Sequence, residues 1–356
     1  MPKAIISAGG TGGHILPALA IAKELQSLGW EIVYIGNRVG MEEGLASSNG
    51  LRFLPIHVQK LYRKLTWEHV KFPFLLLKSY MTAKKYLQDE KPDIFIGCGG
   101  FVSGPAGLAA KQLRIPIYLQ EQNSYPGITT KYLAKYAKKV FIAYEDTIKY
   151  LPKVQTMNLG NPTNIDSEFK DRLPLDKYKL KSNTKKLLVL GGSQGSVIIN
   201  RIIESALDEL LARGVEVIWQ TGKRNYLALK NRYINKEGLF VFAFTDKMNE
   251  MYNTADLVVA RAGALTLSEL QIKKIPSILI PLPSAAENHQ FYNAKELSDK
   301  RLALMLEQKF LTKRTFLKAV DELLACHNEF KANFPDLSDK AGQLIADEIV
   351  KDFGVK

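Results

Sequence analysis

Short apolar runs recur along the chain, each followed by a turn and then by a stretch with helical spacing. In the first, Ala4-Ile5-Ile6-Ser7-Ala8 leads through glycines into Ile15-Leu16-Pro17-Ala18-Leu19-Ala20-Ile21-Ala22, whose apolar spacing reads as a buried helix. Further β-rich runs fall at 31–35, 52–56, 93–97, 115–119 and 140–143. The rhythm restarts at 185–190 and continues at 215–220, 239–243, 256–260, 275–280 and 302–306. Continuous apolar strands interleaved with helices predict parallel sheets covered on both faces. The expected fold is α/β, with two Rossmann-like, doubly wound domains. Between them, Gly160–Asn164 and the charge-rich stretch 166–184, with Pro174 and little apolar periodicity, read as a linker. The expected boundaries are 1–160, 161–336 and a terminal helix within 337–356. That helix has apolar Leu337, Ala341, Leu344, Ile345 and Ile349, and the pattern does not give its docking site.

The turns after the strands carry the candidate chemistry. Gly9-Gly10-Thr11-Gly12-Gly13-His14 is strand, glycine loop and helix start, a place where backbone N–H groups and the helix dipole favour anions. A second loop, Gly191-Gly192-Ser193-Gln194-Gly195, repeats the arrangement, and a third glycine-rich turn contains Gly97, Gly99 and Gly100. Ile15 stands where a dinucleotide fingerprint needs its third glycine, which counts against a nicotinamide enzyme. Neither main loop ends in Gly-Lys-Ser/Thr, which disfavours a P-loop kinase or ATPase.

Polar groups also gather where other strands hand over to helices. Gln120-Glu121-Gln122-Asn123-Ser124 suits sugar hydroxyls. Arg261 ends a buried strand, the helix start near Ala264 can take a diphosphate, and Glu269 one turn in can accept from a ribose diol. Asn288, His289, Gln290 and Asn293 occupy the next such turn.

Composition narrows the class. At 356 residues the chain is long for one core, and 46% hydrophobic with 24% charged residues is a globular composition. Cys98 and Cys326 are too few for a disulfide framework or a zinc cluster. A strand begins almost at once, which leaves no room for a signal peptide, and no apolar run approaches the roughly 20 residues that span a bilayer. A cytoplasmic location is expected.

The net charge of +13 sits mainly in the first half, where residues 1–160 hold 20 Lys and Arg against 11 Asp and Glu, with 29 against 25 in the remainder. Lys60–Lys85 concentrates it: Leu61, Tyr62, Leu65, Trp67, Phe72, Phe74, Leu75, Leu76 and Leu77 stand among Lys60, Arg63, Lys64, Lys71, Lys78, Lys84 and Lys85, with Glu68 alone in opposition. That mixture suits an interfacial segment on anionic lipid, the alternative being a core stretch with a solvated lysine face. No nucleic-acid-binding fold accompanies the charge.

Seven motifs, Gly9–His14, 97–107 (GCGGFVSGPAG), Glu121-Gln122-Asn123, Gly160-Asn161-Pro162, 191–195 (GGSQG), 261–269 (RAGALTLSE) and 289–294 (HQFYNA), stand in the order and spacing of one family. From the first strand to about residue 294 the chain closely resembles the MurG family of peptidoglycan glycosyltransferases. The resemblance implies a GT-B fold whose two domains face a cleft. It implies transfer of N-acetylglucosamine from UDP-GlcNAc to the C4 hydroxyl of the muramyl sugar of undecaprenyl-pyrophosphoryl-MurNAc-pentapeptide (lipid I), giving lipid II with inversion.

By the same resemblance Glu269 grips the ribose, and the backbone of Phe244 and Thr245 meets uracil. Ser193, Gln194 and Gly195, with the helix start Ala264-Leu265-Thr266, meet the diphosphate, while His289 and Gln290 approach the sugar. Thr11, Gly12, Gly13 and Asn123 are expected on the donor side. Gly9, Gly10, Gly99, Gly100 and Phe101 are expected against the acceptor and its pyrophosphate. His14 is the expected general base, with Glu121 as rival. No cofactor and no metal are expected, since these loops hold no Asp-x-Asp pair. The implied partners are UDP-GlcNAc, lipid I, anionic inner-leaflet lipids through Lys60–Lys85 and other cell-wall enzymes, and not nucleic acid. The implied location is peripheral, on the cytoplasmic face of a bacterial plasma membrane. Departures from the family pattern are Asn164 for an arginine, Gln120 for a histidine, and His289-Gln290 for a glutamine pair. The rivals are another GT-B lipid glycosyltransferase, a sugar-nucleotide epimerase of related fold, and a non-catalytic membrane-associated scaffold.

Overall fold

The structure, a computed structural model, describes residues 1–58, 68–151, 153–192 and 194–354. The chain divides into two compact units, residues 1–164 with 340–356, and residues 165–339.

The first unit is a parallel sheet of seven strands: β1 (Lys3–Ser7), β2 (Glu31–Asn37), β3 (Arg52–Ile56), β4 (Ile94–Gly97), β5 (Ile117–Glu121), β6 (Lys139–Ile142) and β7 (Thr156–Asn158), in the order β3-β2-β1-β4-β5-β6-β7. Successive residues of each strand serve opposite faces. Ile6, Tyr34, Ile96, Tyr118 and Phe141 pack with the helix Gly12–Ser27 on one side, whereas Ile5, Val33, Phe95, Leu119 and Val140 pack with the helix Gly100–Gln112 on the other. Covering both faces is why the strands read as unbroken apolar runs.

The terminal helix, Ala341–Gly354, closes this unit rather than the second. Its Ile345, Ala346 and Ile349 join the core that contains Ile15 and Leu25. Phe353 meets Trp30 edge-on at 5.0 Å, and Lys139 pairs with Glu348 and with Asp352.

The second unit is a six-stranded parallel sheet: β8 (Lys185–Leu190), β9 (Val215–Gln220), β10 (Leu239–Phe242), β11 (Leu257–Ala260), β12 (Ser277–Leu279) and β13 (Ala303–Met305), in the order β10-β9-β8-β11-β12-β13. In each sheet the strand order reverses beside the first strand of the unit, between β1 and β4 and between β8 and β11. Ligands bind at such switch points, outside the carboxyl ends of the strands. The loop Gly9–His14 leaves β1 and Gly99 follows β4. The loop 191–195 leaves β8 and Arg261 follows β11.

Two expectations need correction. The stretch 166–184 is no free tether, because Leu173 and Leu180 are buried, and Asn253 and Lys273 bond the Phe169 carbonyl from within the second unit. Its few apolar anchors are spaced too irregularly to show as a period. The fifth strand runs to Glu121, not Leu119, so Gln120 and Glu121 belong to the sheet and not to a turn. Among the described residues no helix is long and apolar enough to cross a membrane.

Candidate functional site

At the first switch point, His14 stands in the opening turn of the helix Gly12–Ser27, and its Nδ1 lies 2.7 Å from Gln122 Oε1. The glycines around it serve close packing. A Cβ on Gly100 would fall 2.1 Å from the Gly9 carbonyl oxygen, and one on Gly99 would fall 2.9 Å from His14 Nδ1. A Cβ on Gly9 would strike Val102 at 2.5 Å, and one on Gly10 would strike the Phe101 ring at 2.9 Å.

The Gly10 N–H donates to the buried carboxylate of Glu42 at 2.9 Å. The Gly10 N–H is therefore already engaged, beside a buried carboxylate. Gly9 and Gly99 are likewise accounted for by packing. Two helices start beside His14, at Gly12-Gly13 and at Gly100-Phe101, and the N-cap Thr11 makes no side-chain capping bond.

Glu121 does not have the setting of a base. It is 2% exposed, and its Oε1 accepts from the Asn123 N–H at 3.0 Å and the Asn123 side-chain amide at 3.1 Å. Its Oε2 accepts from the Gly127 N–H at 3.1 Å. The carboxylate is the anchor of the loop that follows β5, and Asn123 is buried within that loop.

The second unit holds a cavity of about 670 Å³ at its own switch point. Its wall includes the glycine loop Gly191, Gly192, Gln194 and Gly195, then Arg261, Thr266, Glu269 and Gln290. The loop is tight by construction: a Cβ on Gly195, at φ +77°, would fall 2.3 Å from the Thr221 carbonyl oxygen.

Arg261 reaches across the floor. It donates to the carbonyls of Ile280 and Pro281 at 3.1 and 3.2 Å, to Ser196 Oγ at 2.9 Å and to Gln308 Oε1 at 3.0 Å. Among the described residues it has no carboxylate partner, and burial draws its pKa down. An unneutralised guanidinium beside a glycine turn is a ready seat for an anion.

Farther along the wall, the buried Tyr252 hydroxyl donates to Glu269 Oε2 at 2.7 Å. Desolvation raises the Glu269 pKa to about 7 against the lowering effect of that bond. Gln290 lines the cavity while its Oε1 accepts from the Leu282 N–H at 2.9 Å.

Other expected donor residues lie off this wall. Phe244 is 54% exposed, and Thr245 Oγ1 accepts from the Lys247 N–H, in the turn ahead of cavity-lining Met248. Ala264 and Leu265 continue the helix start beyond lining Gly263 without facing the cavity. The His289 Nδ1 lies 2.6 Å from the Ala286 carbonyl, which turns the ring to its own helix start. Ser193 lies outside the described residues. Thr11, Gly12, Gly13 and Asn123 belong to the first unit, while the cavity is lined wholly by the second.

Tyr252, Gln220 and Gln308 carry no motif that sequence reasoning used. Arg261 did leave a signal, a cation closing an otherwise apolar strand.

Comparison with known proteins bears on both units. The chain matches the glycosyltransferase family 28 N-terminal domain over residues 4–142 and the glycosyltransferase family 28 C-terminal domain over residues 186–348. It is 40% identical to the UDP-N-acetylglucosamine–N-acetylmuramyl-(pentapeptide) pyrophosphoryl-undecaprenol N-acetylglucosamine transferase of Flavobacterium psychrophilum, over 98% of this chain and 97% of that one. It is 37% identical to the protein of that name from Bacillus pumilus, over 93% and 92%. Among solved structures it is similar to Acinetobacter baumannii MurG, with a TM-score of 0.81 and 29% identity over 99% of this chain and 100% of that one.

Proposed function

This chain belongs to glycosyltransferase family 28, and we propose that it carries out the reaction for which its relatives are named. It moves N-acetylglucosamine from UDP-GlcNAc to the C4 hydroxyl of the muramyl sugar in lipid I and forms lipid II with inversion at the anomeric carbon. The observation that supports this reading most directly is the second unit's cavity. Its lining includes a cation, a glycine turn and a carboxylate, the groups that complement a diphosphate joined to a ribose diol.

In this reading Arg261 and the glycine turn that lines the same cavity hold the diphosphate, the leaving group whose charge grows as the glycosidic bond breaks. Glu269 accepts from the ribose hydroxyls, and Tyr252 steadies it. Thr266 and Gln290 complete the wall toward the sugar. In the first unit, the helix starts at Gly12-Gly13 and Gly100-Phe101 receive the acceptor's pyrophosphate.

His14 Nε2 takes the proton of the C4 hydroxyl as its oxygen bonds to the anomeric carbon. The bond from that carbon to the diphosphate oxygen breaks, and its electron pair leaves with UDP. Glu121 holds the loop of Asn123 in place and is not the base.

We further propose that the protein docks on anionic lipid at the cytoplasmic face of the plasma membrane through the helix Glu68–Glu90. Phe74, Leu77 and Met81 are 74%, 56% and 62% exposed on one side of that helix, with Ser79, Ala83 and Leu87 buried on the other. Lys78 and Lys85 are exposed with them. Residues 60–67 and the Lys71 side chain lie outside the described residues.

The deciding experiment incubates the purified chain with labelled UDP-GlcNAc and a lipid I analogue. Sugar transfer is expected. UDP-GlcNAc binding without transfer would overturn the reading in favour of a scaffold, and transfer only to other lipids would favour a different acceptor.

A further inference from the structure

Behind His14 lies a chain of side-chain amides that the proposed chemistry does not use. Asn161, Gln120 and Gln122 are all buried. Asn161 Nδ2 donates to the Gln122 backbone carbonyl at 3.0 Å, and its Oδ1 accepts from Gln120 Nε2 at 3.0 Å. Gln120 Oε1 accepts from Gln122 Nε2 in a short bond, and Gln122 Nε2 also faces the carbonyls of Cys98 at 3.0 Å and Gln120 at 3.2 Å. Gln122 Oε1 is left facing His14 Nδ1 at 2.7 Å.

Backbone carbonyls only accept, so they dictate which end of each amide is nitrogen. The Gln122 carbonyl orients Asn161, which orients Gln120. The Cys98 carbonyl independently orients Gln122 the same way. Both routes turn the Gln122 oxygen toward His14, and a lone pair there demands an N–H on Nδ1. A Cβ on Gly99 would fall 2.9 Å from that nitrogen and 3.5 Å from Gln122 Oε1, so the absent side chain is what lets ring and amide meet.

We infer that Gln122, oriented by Gln120 and Asn161, is a positioning residue that fixes His14 as its Nδ1–H tautomer and keeps Nε2 unprotonated toward the acceptor hydroxyl. The inference rests on the reading of His14 as base. Gln122 touches no reacting atom, and it acts by selecting which ring nitrogen has a lone pair. The relay is neutral throughout, so when His14 takes up a proton at Nε2 the Nδ1–H bond to Gln122 persists without rearrangement. Side-chain orientations anchored by backbone groups of the strand ends make the relay rigid, as a positioning shell must be.

The test uses the full chain labelled with ¹⁵N in its histidine rings, of which there are five, with the His14 signals identified by their loss in His14→Gln. The expected wild-type spectrum of the neutral His14 ring shows a proton on Nδ1 and none on Nε2. A proton on Nε2 instead would overturn the inference whether or not the protein is active. In Gln122→Met the tautomers should mix and kcat should fall roughly tenfold or more, with the KM for UDP-GlcNAc within about a factor of two of wild type. An unchanged tautomer, or an unchanged kcat, in that variant would also overturn it. Should Gln122→Met fail to fold, Gln120→Met releases the same amide from one position away and carries the same expectations. A wild-type chain with the expected tautomer but no sugar transfer would overturn the proposed reaction and leave the assignment of the Nδ1–H tautomer in place.

Discussion

The hydroxyl of Tyr252 donates to Glu269 across 2.7 Å, and the acid it touches is held at a pKa of about 7 by its own desolvation. A buried hydroxyl steadies the carboxylate, yet loss of water costs that charge more than one hydrogen bond returns. The cavity thus keeps a carboxylate that gains partners when a diol arrives.

Replacing Glu269 by Gln should separate affinity from stability. The amide can still accept from Tyr252 but cannot offer two charged oxygens to a diol, so UDP affinity should fall roughly tenfold or more. Stability should rise on the order of 1 kcal/mol at pH 8, because the desolvated charge is gone. Titration calorimetry with UDP and urea unfolding check the two halves. A stability loss would mean that the charge is compensated in the free protein.

The raised pKa also fixes a pH dependence. The fold favours neutral Glu269, so its contribution to stability is whole below the ordinary carboxyl range and is lost as pH climbs through about 7. Nucleotide binding runs the other way, because the diol prefers the carboxylate. UDP affinity should weaken roughly tenfold from pH 8 to pH 6, with proton release on binding, and Glu269→Gln should flatten the profile after correction for ionisation of UDP itself.

Arg261 has only neutral partners among the described residues, so its charge should be spent on the ligand's. Arg261→Met should weaken UDP binding roughly 10- to 100-fold and leave uridine binding nearly unchanged. Equal losses for both ligands would show that Arg261 only braces the Ser196 hydroxyl and the Ile280 and Pro281 carbonyls.

His14 and Glu121 should fail differently. His14→Ala should lower kcat by roughly 100-fold or more with little change in donor KM or in Tm. Glu121→Gln puts an amide where three donors converge, and should lose about 1–3 kcal/mol of stability. Unaltered stability with abolished transfer would return Glu121 to candidacy as the base.

For the membrane face, the exposed positions are the ones to change. Serine at Phe74, Leu77 and Met81 should weaken sedimentation with anionic liposomes several-fold and leave the unfolding transition unmoved. Unchanged liposome binding would sink the docking proposal.

Hydrophobic periodicity alone makes the two sheets legible, because parallel strands covered on both faces must be apolar throughout, as Ile5-Ile6 and Leu187-Leu188-Val189 are. The glycine motifs likewise mark both switch points. What periodicity cannot carry is contact between residues far apart in the chain. Gln122 meets His14 across 108 positions, Glu42 takes the Gly10 N–H across 32, and Asp352 reaches Lys139 across 213. Those meetings decide that the Gly10 N–H is engaged, that Gly99 and Gly100 make room for a ring and a carbonyl, and that the terminal helix closes the first unit. A motif records which residue types stand near a site. Hydrogen-bond direction and desolvation set their roles, and both arise only when distant segments are brought into one place.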